Sequence, residues 1–357
     1  MTAAATLTID LRALRENWRK LADRVAPAEC AAVVKADGYG CGLERVVGAL
    51  SAERCRTFFV ARLSEGFRAR TTAPEAAIYV LDGLLPGAGA EMRQAGLRPA
   101  LGSLPEIAEW AAGGGGPAAL HFDTGMNRLG LSLDDADAAL ATLGRAPELI
   151  MSHFASSEDL VSPDNAAQIE RFARLRELIP NVPASLCNSS GIFLPDHPWH
   201  DLERPGYALY GGNPTPGRPN PMRAVVALEA PILQTRRVDV GAHVGYNGQW
   251  TARRPTLLAV IPIGYADGIP RSAMGVDAKP GPDVAISGVR CPIVGRVSMD
   301  LICIDATDAP PEAVLRGAPV EILGATISID EFGERAGTIG YEILTSLGRR
   351  YRRIYRD

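Results

Sequence analysis

Lysine is scarce in this chain. Of its 37 basic residues only Lys20, Lys35 and Lys279 are lysines, and the other 34 are arginines. Lys35 directly follows the apolar run 31–34, and a charged amine close to buried chain is costly unless something uses it. A chain that keeps an amine here, while it uses arginine almost everywhere else, indicates that the pKa or the nucleophilicity of Lys35 matters.

Other absences exclude several classes of protein. No apolar run approaches membrane-spanning length, and residues 1–10 lack the basic flank and apolar stretch of a signal peptide. The net charge of −4 and the isoelectric point near 5.8 give no general attraction to nucleic acid or to an anionic membrane. The six cysteines show no paired spacing, which is typical of reduced thiols. We therefore expect a cytoplasmic enzyme that contacts neither nucleic acid nor membrane.

A loop of small residues follows Lys35. Its glycines, Gly38, Gly40 and Gly42, let the backbone approach a ligand closely. A lysine amine in such a place can act as a nucleophile and form a Schiff base with a carbonyl group. The alternative is a lysine that merely extends from a strand end into water.

Short apolar runs alternate with amphipathic stretches between residue 30 and about residue 210. The predicted strands are 31–35, 57–61, 77–81, 98–101, 118–123, 148–153, 183–188 and 206–210. Eight strand–helix repeats with continuously apolar strands predict a parallel (β/α)8 barrel. Polar residues come at the ends of these runs, so we expect them at the C-terminal mouth of the barrel, where barrel enzymes place their chemistry. They are Lys35, Asp82, Asp123, His153 and Asn188.

A glycine- and proline-rich segment, 211–221, then interrupts any regular element. Beyond it the pattern changes to short β runs with turns, which predicts a separate all-β domain. We therefore divide the chain into a barrel domain, 10–222, and a β domain, 223–357.

The segment around Lys35 carries a resemblance to a known family. Val34-Lys35-Ala36-Asp37-Gly38-Tyr39-Gly40-Cys41-Gly42 closely resembles the pyridoxal-phosphate attachment motif of the alanine racemase family. Further matches follow in family order at 123–130, 204–207, 263–268 and 295–300. The resemblance implies pyridoxal 5′-phosphate bound to Lys35, alanine as the substrate, and a homodimer that shares its active sites. It also implies that the strand in residues 1–9 packs with the β domain.

The same resemblance implies a role for each matching residue. Lys35 and Tyr265 would be the two bases, with Lys35 taking the proton from D-alanine and Tyr265, supplied by the other subunit, taking it from L-alanine. Arg128 would bind the substrate carboxylate, and Met299 and Asp300 would line the substrate pocket. The residues implied to hold the cofactor, besides Lys35, are Tyr39, His153, Asn188, Ser189, Arg204, Gly206 and Tyr207. Without the resemblance, these segments could be ordinary turns and polar loops.

Arg204 would contact the pyridine nitrogen. Arginine does not give up its proton and can only donate to that nitrogen, so the ring stays a weaker electron sink. This favours racemisation over a decarboxylase of the same type, which benefits from a protonated ring.

One position departs from the family pattern. Many members carry a carbamylated lysine two residues before the aspartate of the Asp-Thr-Gly-Met motif, where it braces the arginine that corresponds to Arg128. This chain has His121 there, and histidine cannot hold a stable carbamate. We expect an anion to take the place of the carbamate beside Arg128.

The segment Asp196-His197-Pro198-Trp199-His200-Asp201 superficially suggests a metal site. Pro198 prevents helical presentation of its side chains, and the other histidines are scattered. We expect no metal.

These observations predict an alanine racemase that supplies D-alanine for peptidoglycan. The alternatives are a related racemase acting on serine or on several amino acids, a barrel decarboxylase that uses pyridoxal phosphate, and a non-enzymatic carrier of the cofactor. A carrier would need neither Tyr265 nor Arg128.

Overall fold

The computed structural model describes residues 5–195 and 199–357. They form two compact units: the first is Leu14–Arg223, and the second joins residues 5–13 to Ala224–Asp357. Strand β1 (Thr6–Asp10) belongs to the second unit, whereas most of the helix that follows it, α1 (Leu11–Val25), belongs to the first. The second unit is therefore discontinuous in sequence.

The first unit alternates short strands with helices. Its strands β2–β10 are Glu29–Cys30, Ala32–Val33, Thr57–Val60, Ala77–Val80, Arg98–Leu101, Ala119–His121, Leu149–Met151, Ala184–Ser185 and Leu202–Glu203. Its helices α2–α7 are Leu43–Ala52, Leu63–Thr72, Gly89–Gln94, Leu104–Ala112, Ala136–Leu143 and Pro163–Leu178. The strand residues Phe58, Phe59 and Leu120 are fully buried, as expected for parallel strands covered on both faces.

Parallel pairing closes these strands into a barrel. Strands β3 to β9 form one parallel sheet in sequential order, and β10 pairs in parallel with β2. The ring is completed by backbone bonds in which the amides of Ala31 and Val33 donate to the carbonyls of Glu203 and Pro205, both at 2.9 Å. The amide of Arg204 donates to the carbonyl of Cys187 (3.0 Å), which joins the β9 region to β10. The predicted barrel is confirmed, with β2 and β3 as the two halves of its first strand.

The eighth strand lies earlier than predicted. It is Leu202–Glu203, whereas Tyr207–Tyr210 form a buried 3-10 turn. Pro205 has no amide to donate, and Gly206 leaves the extended conformation (φ −126°, ψ −83°). A short apolar run does not distinguish a strand from a buried turn, so the prediction of a strand at 206–210 was wrong.

The second unit is built on a large, mostly antiparallel sheet. Its strands β11–β20 are Val226–Pro231, Gln234–Val238, His243–Val244, Trp250–Thr251, Thr256–Ile261, Asp283–Ile286, Val289–Val294, Ile302–Asp305, Pro319–Leu323 and Arg352–Arg356. The order in the sheet is β12-β15-β18-β17-β16-β19-β11-β1-β20, and β13 and β14 form a separate hairpin. Strand β1 lies between β11 and β20, which confirms that the N-terminal strand packs with the β domain.

This unit also contains two short helices that the β pattern does not predict, α8 (Ile329–Ala336) and α9 (Gly340–Thr345). The hydroxyl of Ser328 caps α8 by accepting from the amide of Glu331 (3.1 Å). A serine followed three residues later by glutamate is a known start signal for a helix, so the sequence does indicate the start of α8. The unit is thus mostly, rather than entirely, β.

In the described part of the chain, no helix combines the length and the apolar character needed to cross a membrane.

Candidate active site

Polar side chains collect at the C-terminal rim of the barrel. Lys35 comes two residues after β3, His153 two residues after β8, and Arg204 directly after β10. Asp82 and Asn188 follow β5 and β9 in the same way. Because the strands are parallel, these positions all lie at one end of the barrel, as predicted.

The backbone after Lys35 is left-handed. All five residues 36–40 have positive φ, between +50° and +77°, and the amide of the fifth donates to the carbonyl of the first (2.9 Å). Ala36, Asp37 and Tyr39 are not glycine, and each loses about 1–2 kcal/mol in this conformation. The sequence predicts a small-residue loop here, and the structure shows it as an ordered left-handed turn that stores strain next to the lysine.

The amine of Lys35 lies in a mixed electrostatic setting. Burial lowers its pKa, and the positive charge of Arg128 lowers it further, whereas Asp82 and Glu65 oppose the shift. A lowered pKa leaves more of the free, nucleophilic amine at neutral pH.

Two histidines at the rim are held in the neutral form. Burial lowers the pKa of His153 to about 3, and the charges of Arg204, Lys35 and Arg128 contribute to the shift. Burial likewise lowers the pKa of His121 to about 4, again with Arg204 and Arg128 contributing. The rim therefore combines the positive charges of Arg204 and Arg128 with two uncharged imidazoles.

Arg204 is a buried arginine whose guanidinium makes several hydrogen bonds. It is 3% exposed, and its guanidinium donates to the hydroxyl of Ser185 and to the carbonyls of Ser152 (2.5 Å) and Leu186 (3.4 Å). Burial lowers its pKa to about 10, which the neighbouring carboxyl of Glu203 partly opposes. The guanidinium therefore stays protonated at neutral pH.

A second group of donors surrounds Ser189. Its hydroxyl oxygen accepts from the amides of Gly206 (2.9 Å) and Ala208 (3.1 Å). A Cβ added at Gly206 would overlap the hydroxyl of Tyr39, so a larger residue there would displace the Tyr39 side chain. Burial raises the pKa of Tyr39 well above its ordinary value, which keeps its hydroxyl protonated.

Two other predicted cofactor residues lie beside this group. Asn188 accepts through Oδ1 from the hydroxyl of Ser157 and the amide of Gly191, both at 2.9 Å. Tyr207 is buried at the start of the 3-10 turn, one residue after Gly206. The structure thus brings Tyr39, Asn188, Ser189, Gly206 and Tyr207 to one part of the barrel.

The loop that carries Arg128 is wound around one carboxylate. Asp123 accepts from the amides of Gly125, Met126 and Asn127, each at 2.8 Å. Arg128 itself is exposed and makes no hydrogen bond or ion pair within residues 5–195 and 199–357. The anion expected beside it stays a prediction.

A buried polar network supports the base of that loop. The side-chain amide of Gln168 donates to the Thr124 hydroxyl (3.1 Å) and the His153 carbonyl (2.9 Å), and accepts from the Ala155 amide (2.8 Å). The Thr124 hydroxyl also bonds that of Ser152 (2.7 Å). Gln168 therefore connects the Arg128 loop to the strand that presents His153.

The remaining predicted residues belong to the second unit. Tyr265 is 42% exposed and Met299 is 53% exposed. The amide of Tyr265 donates to the Ser298 carbonyl (3.1 Å), and the amide of Ala266 donates to the Met299 carbonyl (3.0 Å). The loops 264–268 and 298–300 are therefore one ordered surface, which presents Tyr265, Met299 and the exposed Asp300 together.

Gly264 makes this approach possible. A Cβ there would overlap the carbonyl oxygens of Ser298 and Met299. We expect Gly264→Ala to separate the two loops, displace Tyr265 and lower kcat by about 10-fold or more. Steady-state kinetics measures this, with Gly48→Ala as the control because its Cβ would meet only Thr72 at 3.8 Å. Equal kinetics for the two variants would contradict the role given to this close approach.

The expected lack of a metal can be compared with the described residues only. Among them, no three histidine, cysteine, aspartate or glutamate side chains are grouped so that they could hold a metal ion. Of the segment 196–201 considered above, Asp196, His197 and Pro198 lie outside the described residues.

Three side chains that support the site are not indicated by the sequence motifs: Glu65, Gln168 and Glu203. Glu203 is fully buried, and burial raises the pKa of its carboxyl to about 7. Its position directly before Arg204 was the only available signal. Glu65 is the third residue of α3, a common place for a glutamate that caps a helix, and nothing nearby in the sequence links it to Lys35.

Comparisons with known proteins identify the family of both parts of the chain. The family described as "Alanine racemase, N-terminal domain" matches residues 9–214, and the one described as "Alanine racemase, C-terminal domain" matches residues 225–355. An alanine racemase of Methylobacterium nodulans is 55% identical over 98% of this chain and 96% of its own length. A catabolic alanine racemase of Mesorhizobium japonicum is 46% identical, over 99% of this chain and 93% of its own.

A solved structure is also similar. It is the crystal structure of alanine racemase from Bartonella henselae with covalently bound pyridoxal phosphate, which matches with a TM-score of 0.92 and 40% identity. The match covers 99% of this chain and all of that one. Both domains, in the same order, are therefore those of one family: the chain belongs to the alanine racemase family.

Proposed function

We propose that the protein is a pyridoxal-phosphate-dependent racemase that interconverts L- and D-alanine. One observation carries the proposal: a partly buried lysine with a lowered pKa lies at the rim of a barrel whose family includes a structure with covalently bound pyridoxal phosphate. When bound, the cofactor draws electrons from the α-carbon of the attached amino acid, so that its α-proton can leave.

The residues of the first unit fit this group. An aldehyde needs an amine, which Lys35 supplies. A phosphate needs converging donors, and the backbone amides of Gly206 and Ala208 already point at one oxygen, that of Ser189. We propose that Ser189, the Gly206 and Tyr207 backbone, Tyr39 and Asn188 hold the phosphate, and that His153 lies against the ring.

Arg204 would then face the ring nitrogen. Its pKa of about 10 keeps it protonated, so it would donate a hydrogen bond to that nitrogen and leave it without a proton. A less electron-poor ring limits side reactions, which supports racemisation rather than decarboxylation.

Racemisation removes a proton from one face of the α-carbon and returns one to the other face. A single rigid side chain serves both faces poorly, so we propose two bases, with Lys35 acting on D-alanine and Tyr265 on L-alanine. In this proposal Tyr265, Met299 and Asp300 come from the other subunit of a homodimer.

Arg128 is proposed to bind the substrate carboxylate, because its planar fork suits two oxygens. We expect Arg128→Ala to lower kcat/KM by about 10- to 10²-fold, mainly through a higher KM, since a charge-assisted contact contributes about 1.5–3 kcal/mol. Initial rates over a range of alanine concentrations measure this in both directions. Arg145→Ala is the control, because Arg145 has only a weak exposed ion pair with Glu148 (3.5 Å). An unchanged KM would contradict the assignment.

Borohydride reduction followed by peptide mapping tests the cofactor site. With only three lysines in the chain, the modified peptide identifies the attachment residue directly. We expect the label on Lys35 and none on the exposed Lys20 or Lys279. Any other result rejects the proposed chemistry.

The second candidate is a related racemase that acts on serine or on several amino acids. Turnover across an amino-acid panel separates it from an alanine-specific enzyme. We also propose that the product D-alanine supplies peptidoglycan synthesis, although the M. japonicum relative is described as catabolic. If a strain that lacks this protein needs added D-alanine to grow, the protein supplies peptidoglycan synthesis. If the strain only fails to grow on alanine as a nutrient, the role is catabolic.

A further inference from the structure

We propose that Glu65 is a positioning residue for Lys35: its carboxylate holds the left-handed turn 36–40 and so fixes the direction of the amine. The proposal depends on the function proposed above for Lys35. Glu65 itself need not touch the substrate or the cofactor.

Glu65 accepts hydrogen bonds from two separate segments of the barrel rim. One carboxylate oxygen accepts from the amide of Asp37 (3.2 Å), which lies inside the left-handed turn. The other oxygen accepts from the amides of Ala61 (3.0 Å) and Arg62 (3.3 Å), at the end of β4 and the start of α3. A single side chain thus ties the strained turn to the next strand–helix connection of the barrel.

The left-handed turn 36–40 needs such a support. Three non-glycine residues in the left-handed conformation persist only when their surroundings hold them there. Tyr39 is held at the far end by stacking on Tyr210, with ring centroids 4.6 Å apart. Next to Lys35 the amide of Asp37 is held by Glu65.

A second set of contacts reaches the turn from outside. The carboxylate of Asp37 accepts from the Leu43 amide (3.2 Å) and from Arg68 (2.6 Å), and Arg68 in turn bonds Glu44 (2.6 Å). Arg68, Asp37 and Glu44 have side chains 42–50% exposed, and exposed ion pairs contribute little. Glu44 is therefore a matched control: it carries the same charge as Glu65 and is linked to Asp37 through Arg68, whereas the Asp37 amide donates to Glu65.

The charge of Glu65 also acts on Lys35. The charged groups that act on this amine are Arg128, which favours the neutral form, and Asp82 and Glu65, which favour the charged form. The nearby imidazole of His153 is neutral at pH 7. Removing the charge of Glu65 leaves Asp82 to oppose Arg128, so the Lys35 amine should lose its proton at a lower pH.

The test compares Glu65→Ala, Glu65→Gln and Glu44→Gln in the full-length, cofactor-loaded protein. We expect Glu65→Ala to lower kcat by about 10²-fold in both directions with KM within threefold, because a displacement of about 1 Å at the reacting group has this cost. Glu65→Gln keeps one acceptor for the Asp37 amide, so its kcat should fall less than that of Glu65→Ala. Glu44→Gln should match wild type. Visible circular dichroism at equal cofactor loading should weaken in the same order, because it reports the fixed orientation of the bound chromophore.

A measurement that does not depend on activity uses the scarcity of lysine. In the cofactor-free chain labelled with ¹³C at lysine Cε, only three signals occur, and single Lys→Arg variants assign them. We expect the Lys35 signal to titrate at a lower pH in Glu65→Gln than in wild type, and at the wild-type pH in Glu44→Gln.

Three outcomes decide the matter. If Glu65→Gln and Glu44→Gln give the same kcat, dichroism and lysine titration, the positioning role is wrong. The comparison of these two variants remains decisive even if Glu65→Ala does not fold. If the variants differ as expected and borohydride labels Lys35, the role is supported. If borohydride labels no lysine, or another lysine, in wild type, the proposed function itself fails, and this inference fails with it.

Discussion

Replacing Lys35 by alanine should abolish racemisation in both directions. The variant loses the covalent anchor of the cofactor and one of the two proposed bases, and acid–base catalysis by a positioned group alone contributes about 10²–10⁴-fold. We therefore expect a loss of at least about 10³-fold in kcat, together with loss of the cofactor absorbance from the purified protein.

The controls for this prediction are Lys20→Ala and Lys279→Ala, which remove the other two lysines from exposed positions. Both should retain wild-type activity and absorbance. A Lys35→Ala protein that keeps the bound cofactor and more than a tenth of the activity would show that another group does this chemistry. Solvent deuterium exchange at the α-carbon of each alanine enantiomer makes the measurement sensitive to residual proton removal.

Replacing Tyr265 by phenylalanine should stop racemisation while leaving proton removal from D-alanine intact. Only the hydroxyl is removed, so the exposed ring keeps its place and the cofactor should stay bound. We expect racemisation to fall by about 10²–10⁴-fold. Exchange of the α-proton of D-alanine, assigned to Lys35, should persist, whereas exchange with L-alanine should fall with the racemase rate.

The pattern of exchange separates the rival functions. Equal loss of exchange for both enantiomers would show that Tyr265 does more than act on one face. Unchanged racemisation would favour a different second base or, if the wild type is also inactive, a carrier of the cofactor. Release of carbon dioxide from a diamino acid by the wild type would identify the decarboxylase alternative.

Mixing the Lys35→Ala and Tyr265→Phe variants tests whether each active site combines residues of two subunits. If Lys35 and Tyr265 of one active site come from different subunits, a mixed dimer has one site with both residues intact. Random exchange of subunits then restores about a quarter of wild-type activity, because about half of the dimers are mixed and each has one working site of two. Activity that stays absent, although subunit exchange is shown by mass, would place both residues in the same subunit.

Much of the first unit could be predicted because a parallel barrel has a simple sequence pattern. Its strands are buried on both faces, so each is a short apolar run, and the residue after each run falls at the same rim. Lys35, His153 and Arg204 lie at that rim in the structure. The prediction failed where the pattern is ambiguous: the buried run at 206–210 is a turn, and the true eighth strand, Leu202–Glu203, is only two residues long.

The supports of the site could not be predicted in this way. Glu65 accepts from Asp37, 28 positions away, and Gln168 bonds Thr124, 44 positions away. Such pairs depend on the order and register of neighbouring strands, which no local pattern records. The conformation of residues 36–40 is also hidden, because a run with two glycines among five residues usually predicts flexibility.

The sequence by itself determined which residues can do the chemistry: a rare lysine after an apolar strand, an arginine that can only donate, and motifs in family order. The local pattern suffices for these residues because the spacing of apolar residues indicates which segments are buried strands and where each strand ends. Only the tertiary structure decided how the lysine is held, since the left-handed turn and the carboxylate of Glu65 meet through strand pairing. It also decided that Tyr265 is presented by two loops that touch at Gly264, because close approach between separate segments exists only once the sheet has formed.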